Sequence, residues 1–321
     1  MNTINPSAGP ANILTLRSGT CHARVAPSAG GRLMDWVVDG QAVLYWPESA
    51  DWTAPARIRG GNPVLFPFLG RHFVDGEAAR WRDRQGTVRP MPQHGFARDL
   101  PFAAEQDADG AGVSLTLDSR AIDVAADYPF DFRFTIGYRL QGNTLRAVFE
   151  TENRGDAAMP YYAGHHFYFA LPHGLRAESR LTLPPSVRQM QSPQGAPSAA
   201  EPDVASFTLD DATMLDVFHV LRTPQAGGVA CLDTPTLGRQ LRIVLPRGEG
   251  APWHALTTWT LAPDSDFYCV EPWLGLPDAI HHGQGLRMLA PGQIERAVCV
   301  LEVAFDGLAH AASPSPSAQE K

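Results

Sequence analysis

Apolar and polar side chains alternate with a period of two along much of this chain. Phe132, Phe134, Ile136, Tyr138 and Leu140 fall on one face of a segment whose other face carries Arg133, Thr135 and Arg139. Gln141-Gly142-Asn143 follows as a turn, and residues 144–150 read as a second strand, so this stretch predicts a hairpin. Shorter strand-like runs recur at 113–117, 241–245, 255–261, 267–270 and 295–305. Amphipathic helical periodicity is not sustained over a dozen residues anywhere. Many short strands separated by turn residues predict an all-β protein, a large single-domain antiparallel β-sandwich.

The ends differ from the middle. Residues 1–11 and 309–321 are small, polar and Pro-rich, and are expected to be disordered tails on a domain spanning 12–308. Residues 184–202, rich in Pro, Ser, Gln and Ala, read as a long surface loop because strand patterns resume on both sides. A chain of 321 residues need not be divided, since all-β sandwiches run past about 200 residues as one domain. The 29 glycines and 28 prolines favour turns over long helices.

A net charge of −8 argues against a nucleic-acid partner, which would leave a basic footprint. It leaves an anionic small molecule open, because a few local arginines suffice to hold one phosphate. Cys21, Cys231, Cys269 and Cys299 form no Cys-x-x-Cys pair and read as reduced core thiols. The first residues lack the basic and apolar stretches of a signal peptide. No window reaches the roughly 18 apolar residues of a membrane span, so a soluble cytoplasmic protein without a membrane partner is expected.

Four segments place ionisable side chains in apolar or turn-rich surroundings. In GGNPVLFPFLGR, Arg71 reads either as a surface arginine after a strand or as a cation aimed at sugar hydroxyls or a phosphate. In MPQHGFARDLPF, His94 precedes a glycine that permits close approach, and reads either as a structural hydrogen bonder or as a ligand contact. In YYAGHHFYFAL, strand geometry sends His165 and His166 to opposite faces, His166 with Tyr168 and His165 with Phe167 and Phe169. That division weakens any metal reading, and no nearby Asp or Glu has the spacing for joint coordination. In FYCVEPWLGLPDAIHHGQGLRML, Glu271 lies in an apolar strand whose burial raises a carboxyl towards the range of a general base. Trp273 beside it offers a flat face to the C–H side of a sugar ring, or packs in the core.

In order along the chain stand Pro27-x-x-Gly30-Gly31, Phe66-Pro67-x-x-Gly70-Arg71, His94-Gly95-Phe96, His166-x-Tyr168-Phe169, and Val270-Glu271-Pro272 with Leu276-Pro277-Asp278-Ala279 downstream. Ala290-Pro291-Gly292 precedes the last strand. Each motif is short, but their order over residues 20 to 305 resembles the aldose 1-epimerase, or galactose mutarotase-like, family. The resemblance implies the large twisted β-sandwich of that family, an open cleft, and cofactor-free, metal-independent interconversion of sugar anomers. It implies Glu271 as general base and His166, rather than His165, as general acid. Arg71 and His94 would bind the sugar, with Asp216 in LDVFHV as the mid-chain aspartate that also touches it.

The chain departs from the galactose enzymes where Gly164-His165 and Ala170 flank the His-x-Tyr-Phe motif, and where His72-Phe73 follows Arg71. Those departures place it nearer divergent bacterial branches, which include hexose-6-phosphate mutarotases. The substrate is therefore a free or a phosphorylated aldose. For a phosphate, Arg98 would join Arg71, while Arg80, Arg82 and Arg84 read equally as a solvated face. Two other readings are a non-catalytic carbohydrate-binding module and a metal enzyme built from His165, His166, His281 and His282.

Overall fold

The structure, a computed structural model, describes Pro10 and residues 12–306, so most of both predicted tails lies outside the described residues. Its strands collect into two large sheets. A twelve-stranded sheet has Leu14–Ser18 at one edge and Glu201–Pro202 at the other. Strands Tyr168–Ala170, Phe267–Trp273, Ala255–Trp259 and Val217–Leu221 lie side by side within it. A nine-stranded sheet runs from Ala103–Gln106 to Ser206–Thr208 through Phe132–Gln141, Thr144–Asn153, Ile294–Phe305 and Arg239–Leu245. The ladders of both are antiparallel. Among the described residues the longest α-helix is the four-residue turn Ala279–His282, and no helix is long and apolar enough to cross a membrane.

The all-β sandwich read from alternation is therefore present. Phe132–Gln141 alternates buried and outward residues along its length, and pairs with Thr144–Asn153 in the register Gln141↔Thr144. Gly142 turns the hairpin at φ +53°, a left-handed conformation that glycine adopts without Cβ strain. The apolar faces meet in one core that draws on both sheets. At its centre Phe66 stacks on Phe134 with ring centroids 4.1 Å apart, and meets Phe96, Tyr128, Phe132 and Tyr161. Cys21, Cys269 and Cys299 are buried and Cys231 is half-buried, all four unpaired as disulfides.

Three sequence boundaries need correction. The run at 267–270 continues to Trp273, carrying Glu271 and Pro272 inside a strand. The run at 255–261 ends at Trp259, where the ladder with Cys269 also ends. Residues 184–202 are not all loop. Ser186–Gln189 pairs with Val217–Leu221 and Glu201–Pro202 pairs back on Ser186–Gln189, so the segment builds a sheet edge. Its polar composition hid this, because an edge strand takes its order from the neighbour it pairs with rather than from its own alternation.

The continuation through Pro272 depends on a gap in the ladder. On one side, Phe267–Trp273 is paired by Ala255–Trp259 along Cys269 to Trp273. On the other, Tyr168–Ala170 covers only Phe267, Tyr268 and Cys269, and Gly164 returns opposite Trp273. Residues 165–167 thus lie opposite 270–272 without a ladder pairing. Pro272, which has no N–H to donate, stands in this break and costs the sheet little there.

Two consequences of this packing are measurable. Phe66→Ala removes the hub of the aromatic core and is expected to destabilise by about 3–5 kcal/mol, read as a lower denaturant midpoint. A midpoint within experimental scatter of wild type would show that Phe66 is not central to the core.

His72 is fully buried, with Nε2 2.6 Å from the Tyr162 hydroxyl. Burial pushes its pKa down to about 3, with His281 and His282 adding smaller contributions. The unfolded chain protonates this imidazole near 6.5, so the stability it confers is full above that pH and is lost as pH falls. Between pH 8 and pH 5 the loss is about 2 kcal/mol. The stability gap between wild type and His72→Gln should narrow by that amount over this range in urea unfolding. A gap independent of pH would contradict the assignment.

Candidate active site

The break in the ladder opens into a cleft of about 710 Å³. His166 crosses the break and stacks on Tyr168, ring centroids 4.7 Å apart and planes 7° from parallel. Its neighbour His165 points the other way, into the core, where it stacks on Phe149 and Phe167. The strand argument that separated the two histidines is correct. Asn62 holds the pair in place. Its Oδ1 accepts the His166 backbone N–H at 2.8 Å, while its amide nitrogen reaches the Tyr138 hydroxyl and His165 Nδ1, each at 2.9 Å.

Glu271, 1% exposed, faces His166 across the break, with Oε1 3.4 Å from His166 Nδ1. That distance is longer than an ordinary hydrogen bond. His166 Nδ1 and Glu271 Oε2 are both buried without a hydrogen-bond partner. Burial lifts the Glu271 carboxyl well above its usual range, the Trp273 indole opposing and Asp216 reinforcing the shift. Burial also drives His166 well below its usual range, with Arg98, Arg59 and Arg32 adding repulsion. Both shifts disfavour the charged forms, so burial favours the arrangement in which the pair is neutral and shares one proton.

The remaining expected residues gather around them. His94 sits at φ +69°, its backbone N–H on the Gly70 carbonyl at 2.8 Å and its Nδ1 accepting the Gly70 N–H at 3.1 Å. Burial favours the neutral imidazole, so with Nδ1 accepting, Nε2 carries the hydrogen, and the Gln93 side-chain amide lies 3.3 Å from it. Gly95 is obligatory beside it, since at φ +75° an added Cβ would lie 2.1 Å from the Phe66 carbonyl oxygen. Trp273 lines the wall between His94 and Phe218. A side chain at position 164 would start 2.6 Å from the Trp273 ring, which explains why glycine precedes His165 here. Asp216, at φ +57°, is exposed at the rim. Partial desolvation raises its carboxyl, and Arg71 opposes that rise.

The structure thus brings Glu271, His166, Arg71, His94, Trp273 and Asp216 to one cleft. It does not assemble His165, His166, His281 and His282. His281 and His282 are tied to Asp278 and to the Pro277 carbonyl, and His165 lies in the core. Arg80 and Arg82 are exposed away from the cleft, near Glu77 and Asp75. Sequence reading missed Arg57, Arg59, Thr257 and Trp259, which also line the cleft. Thr257 and Trp259 alternate in a strand and were legible as one face. The arginines sit around a short turn at Pro55–Arg57 that carries no strand or helix signal.

The aldose 1-epimerase family model matches residues 12–197, more than half of the chain. The LacX protein of Lactococcus lactis is 25% identical over 249 residues, covering 74% of this chain and 81% of that one. A Salmonella typhimurium protein with the provisional name glucose-6-phosphate 1-epimerase is 27% identical over 143 residues, 44% of this chain and 42% of that one. Among solved structures, the Slr1438 protein of Synechocystis superposes with a TM-score of 0.78 at 24% identity, over 95% of this chain and all of the other.

Proposed function

This chain belongs to the aldose 1-epimerase family, and from that premise we propose that it interconverts the α and β anomers of an aldose by acid–base ring opening in the cleft around Glu271 and His166. The observation that carries this reading is the 3.4 Å approach of a buried carboxyl and a buried imidazole at the floor of a cleft. Ring opening removes a proton from the O1 hydroxyl and delivers one to the ring oxygen. The two oxygens share one carbon, so a base and an acid placed close together can serve both.

The proton count is the same for neutral Glu271 with neutral His166 as for carboxylate with imidazolium. In the second arrangement Glu271 takes the O1 proton and His166 gives one to the ring oxygen. The C1–O5 bond breaks and C1=O1 forms. The pair is then neutral, which is the state that burial favours. After rotation about C1–C2, Glu271 returns a proton to the aldehyde oxygen while His166 takes one from the O5 hydroxyl, and the other anomer closes. Arg71, His94 and Asp216 orient hydroxyls, and Trp273 packs on the apolar side of the ring.

A phosphorylated aldose is a second reading favoured by the arginines. Arg57, Arg59, Arg71 and Arg98 line the cleft, and among the described residues none of them forms an ion pair with a carboxylate. Such a cluster suits a phosphate, which arginine grips bidentately.

Polarimetry of freshly dissolved α-glucose or α-galactose tests the chemistry. Glu271→Gln keeps the shape but cannot take the proton, so catalysed exchange should fall by about 10²–10⁴-fold with the fold intact by circular dichroism. An unchanged rate removes Glu271 from the reaction. The double variant Arg57→Gln/Arg59→Gln should raise KM for glucose 6-phosphate about tenfold or more, with little change for glucose, given about 1.5–3 kcal/mol per charged hydrogen bond. Equal changes on both sugars would reject the phosphate reading.

A further inference from the structure

Cys269 lies two residues before Glu271 on the same strand, and so on the same face. It packs against Tyr168, the residue on which His166 stacks. A ring nitrogen of His166, Cys269 Sγ and a carboxylate oxygen of Glu271 all lie within 4.8 Å of one another, and all three residues are buried. Among the described residues no other three His, Cys, Asp or Glu side chains converge in this way.

We propose that His166, Cys269 and Glu271 form a binding site for a thiophilic divalent cation such as Zn²⁺, and that its occupation reversibly shuts the cleft's catalytic pair. A tetrahedral zinc site with bonds of about 2.0–2.3 Å sets its donor atoms about 3.6 Å apart. The His166–Glu271 approach of 3.4 Å is already near that separation, and the sulfur needs to move by about 1 Å at most. Imidazole, thiolate and carboxylate are the donor types zinc takes, and their two negative charges neutralise the dication among the cleft arginines.

Two of the three side chains, His166 and Glu271, each carry a buried polar atom without a hydrogen-bond partner, Nδ1 and Oε2. A fourth position opens towards the cleft, where water or a sugar oxygen completes the shell. Binding transfers the Cys269 thiol proton to solvent, along with the Glu271 proton where that carboxyl carries one, and forms the metal–sulfur bond without any change of oxidation state. A metal held there occupies the lone pairs that proton transfer requires.

The test uses the whole chain and two readouts. In a Co²⁺ titration, wild type should develop a thiolate-to-cobalt charge-transfer absorbance that saturates at one equivalent. Cys269→Ala and Cys269→Ser should lack it, and Cys231→Ala should retain it. Zn²⁺ should suppress anomer exchange in wild type and a chelator should restore it. In Cys269→Ala the basal rate should persist while the apparent Zn²⁺ affinity falls at least about 100-fold, because outer-shell losses alone cost 10–100-fold. No charge-transfer band in wild type, or an equal band in both Cys269 variants, overturns the site. Because the cobalt spectrum needs no turnover, it decides the metal site even if Glu271 and His166 prove to have no part in the reaction.

Discussion

A carboxyl group held out of water inside a β-strand sets the terms for the rest of this protein. Isolated burial of a charged Glu271 would cost several kcal/mol, and burial shifts both this carboxyl and the imidazole opposite it towards their neutral forms. This requires the sheet to open at one point. If Tyr168–Ala170 and Gly164–His165 were one continuous strand, regular pairing would run past Glu271 and leave no cleft beside it. The break at 165–167 instead turns His166 towards the carboxyl, and Pro272 marks the same place from the other strand.

Secondary contacts keep the break open. Asn62 satisfies the His166 N–H that the interrupted ladder leaves over, and ties the paired histidines to Tyr138 of the opposite sheet. Gly70 and His94 exchange hydrogen bonds, and Gly70 itself fits only because it lacks a Cβ, which would lie 2.4 Å from Pro277. The separated glycine motifs are thus parts of one packing problem, in which three loops approach the same floor more closely than side chains allow. The cleft that results has a buried carboxyl and imidazole at its base and arginines around it.

Much of the fold was legible because a half-buried strand writes its alternation into the chain, as 132–141 does. The site was legible where a residue's surroundings were local. Glu271 within Tyr-Cys-Val-Glu-Pro-Trp announces its own burial, and strand periodicity alone separates His166 from His165. The edge strands inside 184–202 were hidden because their order is borrowed from Val217–Leu221. Arg57 and Arg59 were hidden because an irregular turn has no period to read.

By itself, then, the chain determined the sandwich, the order of its motifs and that the two neighbouring histidines face opposite ways, since each follows from spacing of a few residues along one backbone. Only the tertiary structure decided that Cys269 lies beside the pair, that Asn62 clasps both histidines, and that the cleft arginines converge. Those relations join positions about 100 residues apart, such as His166 and Glu271. They follow from sheet order and loop closure, which no local pattern encodes.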